Sequence, residues 1–147
     1  MSGIRNILLV EDDHYDQELI LTALEEIAVV NNIDVVTNGE EALAYLRCQG
    51  KFSVRDSCIP AVVMLDLKLP GNSGFEVLKQ IRVDETFKTI PIVILTSSGE
   101  ERDIDEAYRL GANAFIVKPI DYIKFMAAIK AVGAFWAVLN EPPRYRQ

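Results

Sequence analysis

Residues Ala61-Val62-Val63-Met64-Leu65-Asp66-Leu67-Lys68-Leu69-Pro70-Gly71 decide the reading of this chain. A short, uncharged apolar run ends directly on a carboxylate. The form recurs on both sides: Ile7-Leu8-Leu9-Val10 ends on Glu11 and Asp12, Ile92-Val93-Ile94-Leu95 on Thr96, and Ala114-Phe115-Ile116-Val117 on Lys118. Short runs rich in β-branched residues and free of charge suit parallel strands buried on both faces. Open α/β sheets place their ligands beyond the carboxyl ends of the strands. Four strands therefore bring three carboxylates, a hydroxyl and an ammonium to one edge.

Helical patterns separate these runs. The chain reads as strands at 4–10, 33–37, 61–66, 91–96 and 113–117, alternating with helices at 14–28, 40–48, 74–83, 100–110 and 121–139. Alternation of this kind, with right-handed crossovers, gives a doubly wound parallel α/β sheet. Asn38, Ser73 and Ser98 each stand three residues before a Glu and are expected as N-caps in capping boxes,. Gly111 is a C-terminal stop. Leu19, Ile20, Ala23, Leu24 and Ile27 share the sheet-packing face of the first helix. His14 decorates the start of that helix, and Asp13 and Asp16 are read as partners of its dipole.

The 147 residues suit one domain, with a core at about 4–135 and a helical extension and tail at about 136–147,. A net charge of −7, with Arg144 and Arg146 as its only basic cluster, argues against nucleic-acid binding,. The apolar stretch from Met126 to Leu139 is interrupted by Lys130 and is too short to span a bilayer,. A cytoplasmic protein is expected, with Cys48 and Cys58 as free thiols. Residues 48–60 form an unusually long connection, read as a surface insertion. Phe135, Trp136 and Leu139 prolong a helix that already has Phe125, Ile129 and Val132 for the sheet. They are expected at an intermolecular contact, the competing reading being a fold-back onto the same chain.

Two carboxylates 4 Å apart repel by about 4 kcal/mol at an effective dielectric near 20. Asp12 and Asp66, with Glu11 beside them, therefore need a cation, a raised pKa, or both. Oxygen ligands without His or Cys suit Mg²⁺. Lys118 adds fixed positive charge and Thr96 a donor, a set suited to phosphoryl transfer.

These residues resemble the receiver domains of two-component response regulators: Glu11-Asp12, Asp66 within Met64–Gly71, Thr96-Ser97 and Lys118-Pro119, with 30 residues from Asp66 to Thr96 and 22 more to Lys118. The resemblance implies a flavodoxin-like (βα)5 fold with strand order 2-1-3-4-5. It implies that Asp66 is the phosphoacceptor, served by the phosphohistidine of a sensor histidine kinase. Asp12, Asp66 and the Lys68 backbone carbonyl would ligate Mg²⁺, with Glu11 acting through water. Lys118, before a cis Pro119, would pair with the phosphoryl oxygens, while Thr96 and Phe115 would form the switch. The long loop before the third core strand, the absence of an output domain and Phe135-Trp136 most resemble the phytochrome-associated receivers of cyanobacteria, which makes a bacterial phytochrome the expected kinase.

Lys68 either stabilises the acyl phosphate or lies in solvent; both readings stand. A haloacid-dehalogenase phosphatase would need an Asp where Lys68 is. A flavodoxin would not place Glu11-Asp12-Asp13 at its phosphate loop, and a P-loop is absent. A receiver-shaped interaction module that is never phosphorylated is the remaining rival. The expectation is thus a stand-alone switch, catalytic only in its own phosphorylation and dephosphorylation. It is expected to form a homodimer through the helix at 100–110, the strand at 113–117 and the extended last helix.

Overall fold

The computed structural model describes residues 6–27, 32–55, 59–118 and 121–143. Five parallel strands, β1 (Ile7–Val10), β2 (Ile33–Val36), β3 (Val62–Leu65), β4 (Ile92–Thr96) and β5 (Ala114–Val117), form one sheet in the order 2-1-3-4-5. Between and after them run α1 (His14–Glu26), α2 (Gly39–Arg47), α3 (Gly74–Val83), α4 (Glu101–Arg109) and α5 (Tyr122–Ala134). The flavodoxin-like (βα)5 fold and its strand order are as expected. Every element lies within its expected range except α2, which starts one residue early at Gly39.

Side chains alternate across the strands and feed two cores. Leu8, Val10, Val63, Leu65, Ile92 and Ile94 pack with α2, α3 and α4 on one face, together with a half-buried Phe115. Ile7, Leu9, Val62, Met64, Val93 and Leu95 pack with α1 and α5 on the other. Each fully buried aliphatic side chain contributes roughly 1.5–3 kcal/mol relative to exposure. The α1 face is as read: Ile20, Ala23 and Leu24 are buried, and Leu19 and Ile27 pack beside them.

Helix ends follow local chemistry with one exception. Asn38 accepts the Glu41 N–H at 2.8 Å and Ser73 the Glu76 N–H at 3.3 Å. Glu41 returns its carboxylate to Thr37 N–H at 3.0 Å, one residue before the cap. Ser98 is not an N-cap. It is buried, its hydroxyl donates to Asp103, and α4 begins after Glu100 instead. Gly111 takes φ 107° just after α4, as a stop should.

The described first part of the 48–60 connection, residues 48–55, is tied down rather than free. Cys48 ends α2 in the left-handed region, and a 3-10 turn at Gly50–Phe52 follows. Phe52 meets Tyr45 edge-on at 5.4 Å, and Arg55 lies 3.8 Å over the Tyr45 ring while donating to the Tyr45 carbonyl at 2.9 Å. Cys58 and Pro119 lie outside the described residues, and with them any Cys58 pairing and the expected cis bond; so do Arg144 and Arg146.

The last helix also departs from the simple reading. α5 gives way to a π-helical turn at Phe135–Leu139, where the Asn140 N–H reaches the Phe135 carbonyl at 2.7 Å. The wider turn rotates the chain so that Ala137 is buried and Trp136 packs partly on the α1–α5 core,. Phe135, at 46 %, and Leu139, at 70 %, stay exposed. Trp136 therefore makes part of its contact within its own chain, and its remaining surface is available outward with Phe135 and Leu139.

Candidate functional site

Register brings the reactive residues to one edge. Val10 pairs with Leu65 and Val36, Leu65 with Ile94, and Thr96 with Val117. Glu11, Asp12, Asp66, Thr96 and Lys118 therefore lie at the carboxyl ends of neighbouring strands. The Asp66 N–H donates to the Val10 carbonyl at 3.1 Å, and the Lys118 N–H to the Thr96 carbonyl at 2.7 Å, so the loops begin already stitched together.

Around Asp66 the backbone is crowded. The Gly74 N–H donates to the Leu67 carbonyl at 2.9 Å, which presses the start of α3 against the Asp66–Leu67 peptide. Asp66 Oδ1 accepts the Lys68 N–H at 3.1 Å. The Lys68 side chain points to solvent and is exposed.

Lys118 is the hub. Its Nζ lies 2.5 Å from Glu11 Oε1, 2.8 Å from Asp16 Oδ2 and 3.0 Å from Asp66 Oδ2, with only 12 % of its side chain exposed. Burial works against this ammonium, but the hydrogen bonds to Asp16 and Glu11 and the charge of Asp66 outweigh it and hold its pKa above the ordinary lysine value,. Glu11 is only 1 % exposed. Burial pushes its carboxyl up to about 7; Lys118 opposes that shift and the charge of Asp66 adds to it. The cluster thus meets its repulsion both ways, with an internal cation and a raised pKa.

Glu11, Asp12 and Asp66 each offer a carboxylate oxygen, all within 4.8 Å of one another. Asp12 is exposed while the other two are buried, so the donor set opens to water on one side. All-oxygen donors and surplus negative charge fit a hard divalent cation such as Mg²⁺.

Thr96 is buried at the end of β4, its hydroxyl accepting the Ser98 N–H at 3.4 Å. Phe115 stands beside Ile94 on β5 and packs on the α2–α4 core. Asp16 is a first-turn acid of α1, as read, but sequence reading missed its place in the site. Asp13 is the N-cap of α1, accepting the Asp16 N–H at 2.9 Å, and the Asp16 carboxylate goes to Lys118. A usable signal existed: a helical side chain leans toward its own N-terminus, and this helix starts at the reactive edge. Gln17 was also missed; its Nε2 holds the Glu11 carbonyl at 2.6 Å.

Residues 7–130 match the model of the response regulator receiver domain. Response regulator Rcp1 of Synechocystis sp. is 32 % identical over 130 residues, 88 % of this chain and 87 % of Rcp1. Its Mn²⁺-bound structure superposes with a TM-score of 0.85 at 30 % identity, over 95 % of this chain and 99 % of that one. The phosphorylated cyanobacterial phytochrome response regulator RcpA gives a TM-score of 0.88 at 36 % identity, covering 97 % of this chain and 100 % of that one. The bacteriophytochrome response regulator RtBRR is 51 % identical, with a TM-score of 0.77 over 95 % of this chain and 84 % of its own.

Proposed function

Because this chain belongs to the response regulator receiver family, we propose that Asp66 is its phosphoacceptor, taking a phosphoryl group from a sensor histidine kinase of the phytochrome type. The observation that carries this is the approach of Lys118 Nζ to both Asp66 and Glu11 in a pocket that Asp12 opens to water. The kinase assignment draws on the likeness to Rcp1, RcpA and RtBRR.

In the transfer, an Asp66 carboxylate oxygen attacks phosphorus as the bond to the donor imidazole nitrogen breaks. Lys118 keeps an ammonium beside the attacked group, and Glu11 orients that ammonium. Gln17 and the Asp13 N–H, which donates to Glu11 Oε2 at 3.2 Å, hold Glu11 in turn. Mg²⁺ bound by Asp12, Asp66 and the Lys68 carbonyl, with Glu11 acting through water, would supply charge neutralisation for the transferred oxygens. Thr96 and Phe115 are the switch pair: the Thr96 hydroxyl moves to the new phosphate, and Phe115 fills the space left behind. The changed face of α4, β5 and α5 is read by a partner, which we take to include a second copy meeting Phe135, Trp136 and Leu139. The protein works in the cytoplasm as a relay component, with turnover limited to its own acyl phosphate.

Incubation with acetyl phosphate and Mg²⁺, followed by intact mass measurement, tests the acceptor assignment. Wild type gains one phosphoryl group and Asp66→Asn gains none. No gain in wild type, or a gain that survives Asp66→Asn, favours the module that acts without phosphorylation.

A further inference from the structure

An ammonium has three N–H donors and no acceptor. On Lys118 all three already face carboxylates: Glu11 at 2.5 Å, Asp16 at 2.8 Å and Asp66 at 3.0 Å. A phosphoryl group on Asp66 brings three strong acceptor oxygens. The Asp66 bond can pass to one of them; for Lys118 to reach a second, another of its present bonds has to be given up.

The three partners differ in what they lose. Glu11 is almost wholly buried, so losing the ammonium would cost its carboxylate more than it costs a partly exposed one,. Asp66 is the residue that receives the group. Asp16 has 25 % of its side chain exposed and stands in the first turn of α1. Water and the positive end of that helix favour its carboxylate after release.

We propose that Asp16 is a positioning residue that latches Lys118 in the resting protein and competes with the phosphoryl group for its third donor. This rests on Asp66 being the acceptor. With Asp16 in place, Lys118 stays aligned between Asp66 and Glu11 before any phosphoryl group arrives, and the phosphorylated state forms at the expense of one ion pair.

Calorimetric titration of the full chain with beryllofluoride, a stable stand-in for the phosphoryl group, reads this competition at saturating Mg²⁺. Mg²⁺ affinity is titrated separately for each variant, so that a change in metal loading is not mistaken for a change in anion binding. Asp16→Ala is expected to bind beryllofluoride about 2- to 5-fold more tightly, the range for a partly exposed ion pair. Asp16→Asn, whose amide oxygen still accepts, should fall between it and wild type. A residue that only supported the fold would lower the unfolding midpoint without tightening the anion. Unchanged or weaker beryllofluoride affinity in both variants overturns the latch. Failure of wild type itself to bind beryllofluoride overturns the acceptor reading beneath it.

Discussion

A Cβ placed on Gly74 would lie 2.3 Å from the carbonyl oxygen of Asp66 and 2.7 Å from Cα of Leu67. Both are backbone atoms, so neither can swing aside. The first residue of α3 is therefore a glycine because the proposed acceptor loop runs directly beneath it. Gly74→Ala is expected to cost about 1–3 kcal/mol, as overpacking does. It should also slow acetyl phosphate labelling by displacing Asp66. Urea unfolding that agrees with wild type within about 0.5 kcal/mol would show that the loop yields freely.

The raised Glu11 carboxyl makes stability depend on pH. The folded protein holds this proton up to about pH 7, whereas an ordinary glutamate loses it near 4.5. Between those values the folded state binds the extra proton, so stability falls as pH rises through the window. In EDTA, urea midpoints at pH 5.5 and 8 should separate in wild type and draw together in Glu11→Gln. Equal pH slopes in the two proteins would contradict the assignment. Divalent-ion affinity should rise over the same window, since deprotonated Glu11 adds negative charge beside the cation.

Arg82 joins segments that are distant in sequence. Its guanidinium donates to the carbonyls of Gly111 at 2.9 Å, Lys88 at 3.0 Å and Ile90 at 2.7 Å, and to Asn113 Oδ1 at 2.8 Å. Asn113 Oδ1 also accepts the Ile92 N–H at 2.7 Å. Arg82→Ala should destabilise by roughly 2–4 kcal/mol, because it strands two partly buried carbonyls, those of Gly111 and Ile90,. Arg82→Lys should recover less than half of that, a point charge being unable to span the planar fork. Recovery close to wild type in urea unfolding would assign the effect to charge alone.

The proposed self-contact is best probed at Leu139. Trp136 packs partly on its own core, so replacing it would disturb the fold before any interface. Leu139 is exposed, and Leu139→Glu should halve the mass measured by light scattering while leaving the circular dichroism spectrum unchanged. A wild-type monomer, or a dimer that persists in Leu139→Glu at equal concentration, would place no contact there.

The strand runs were legible because burial on two faces imposes a local composition, visible within four or five residues. Placing the site at the sheet's carboxyl edge needed only the strand ends and the parallel rule. Ser98 misled because it carries a capping residue's chemistry, and the choice between capping a helix and meeting Asp103 is made by neighbours outside the motif. The π turn at Phe135–Leu139 was equally hidden. Its apolar composition reads as helix, and the extra residue per turn follows from how α5 seats Trp136 and Ala137.

Composition and spacing alone were enough to give the alternating architecture, the acidic edge and the residues able to do phosphoryl chemistry, since each follows from local pattern plus one general rule of sheet topology. The pairing of charges was decided in three dimensions. Lys118 meets Glu11 107 residues away, Asp16 102 away and Asp66 52 away. Coulomb energy depends on distance through space and on burial, and neither is written in the order of residues until the strands are in register.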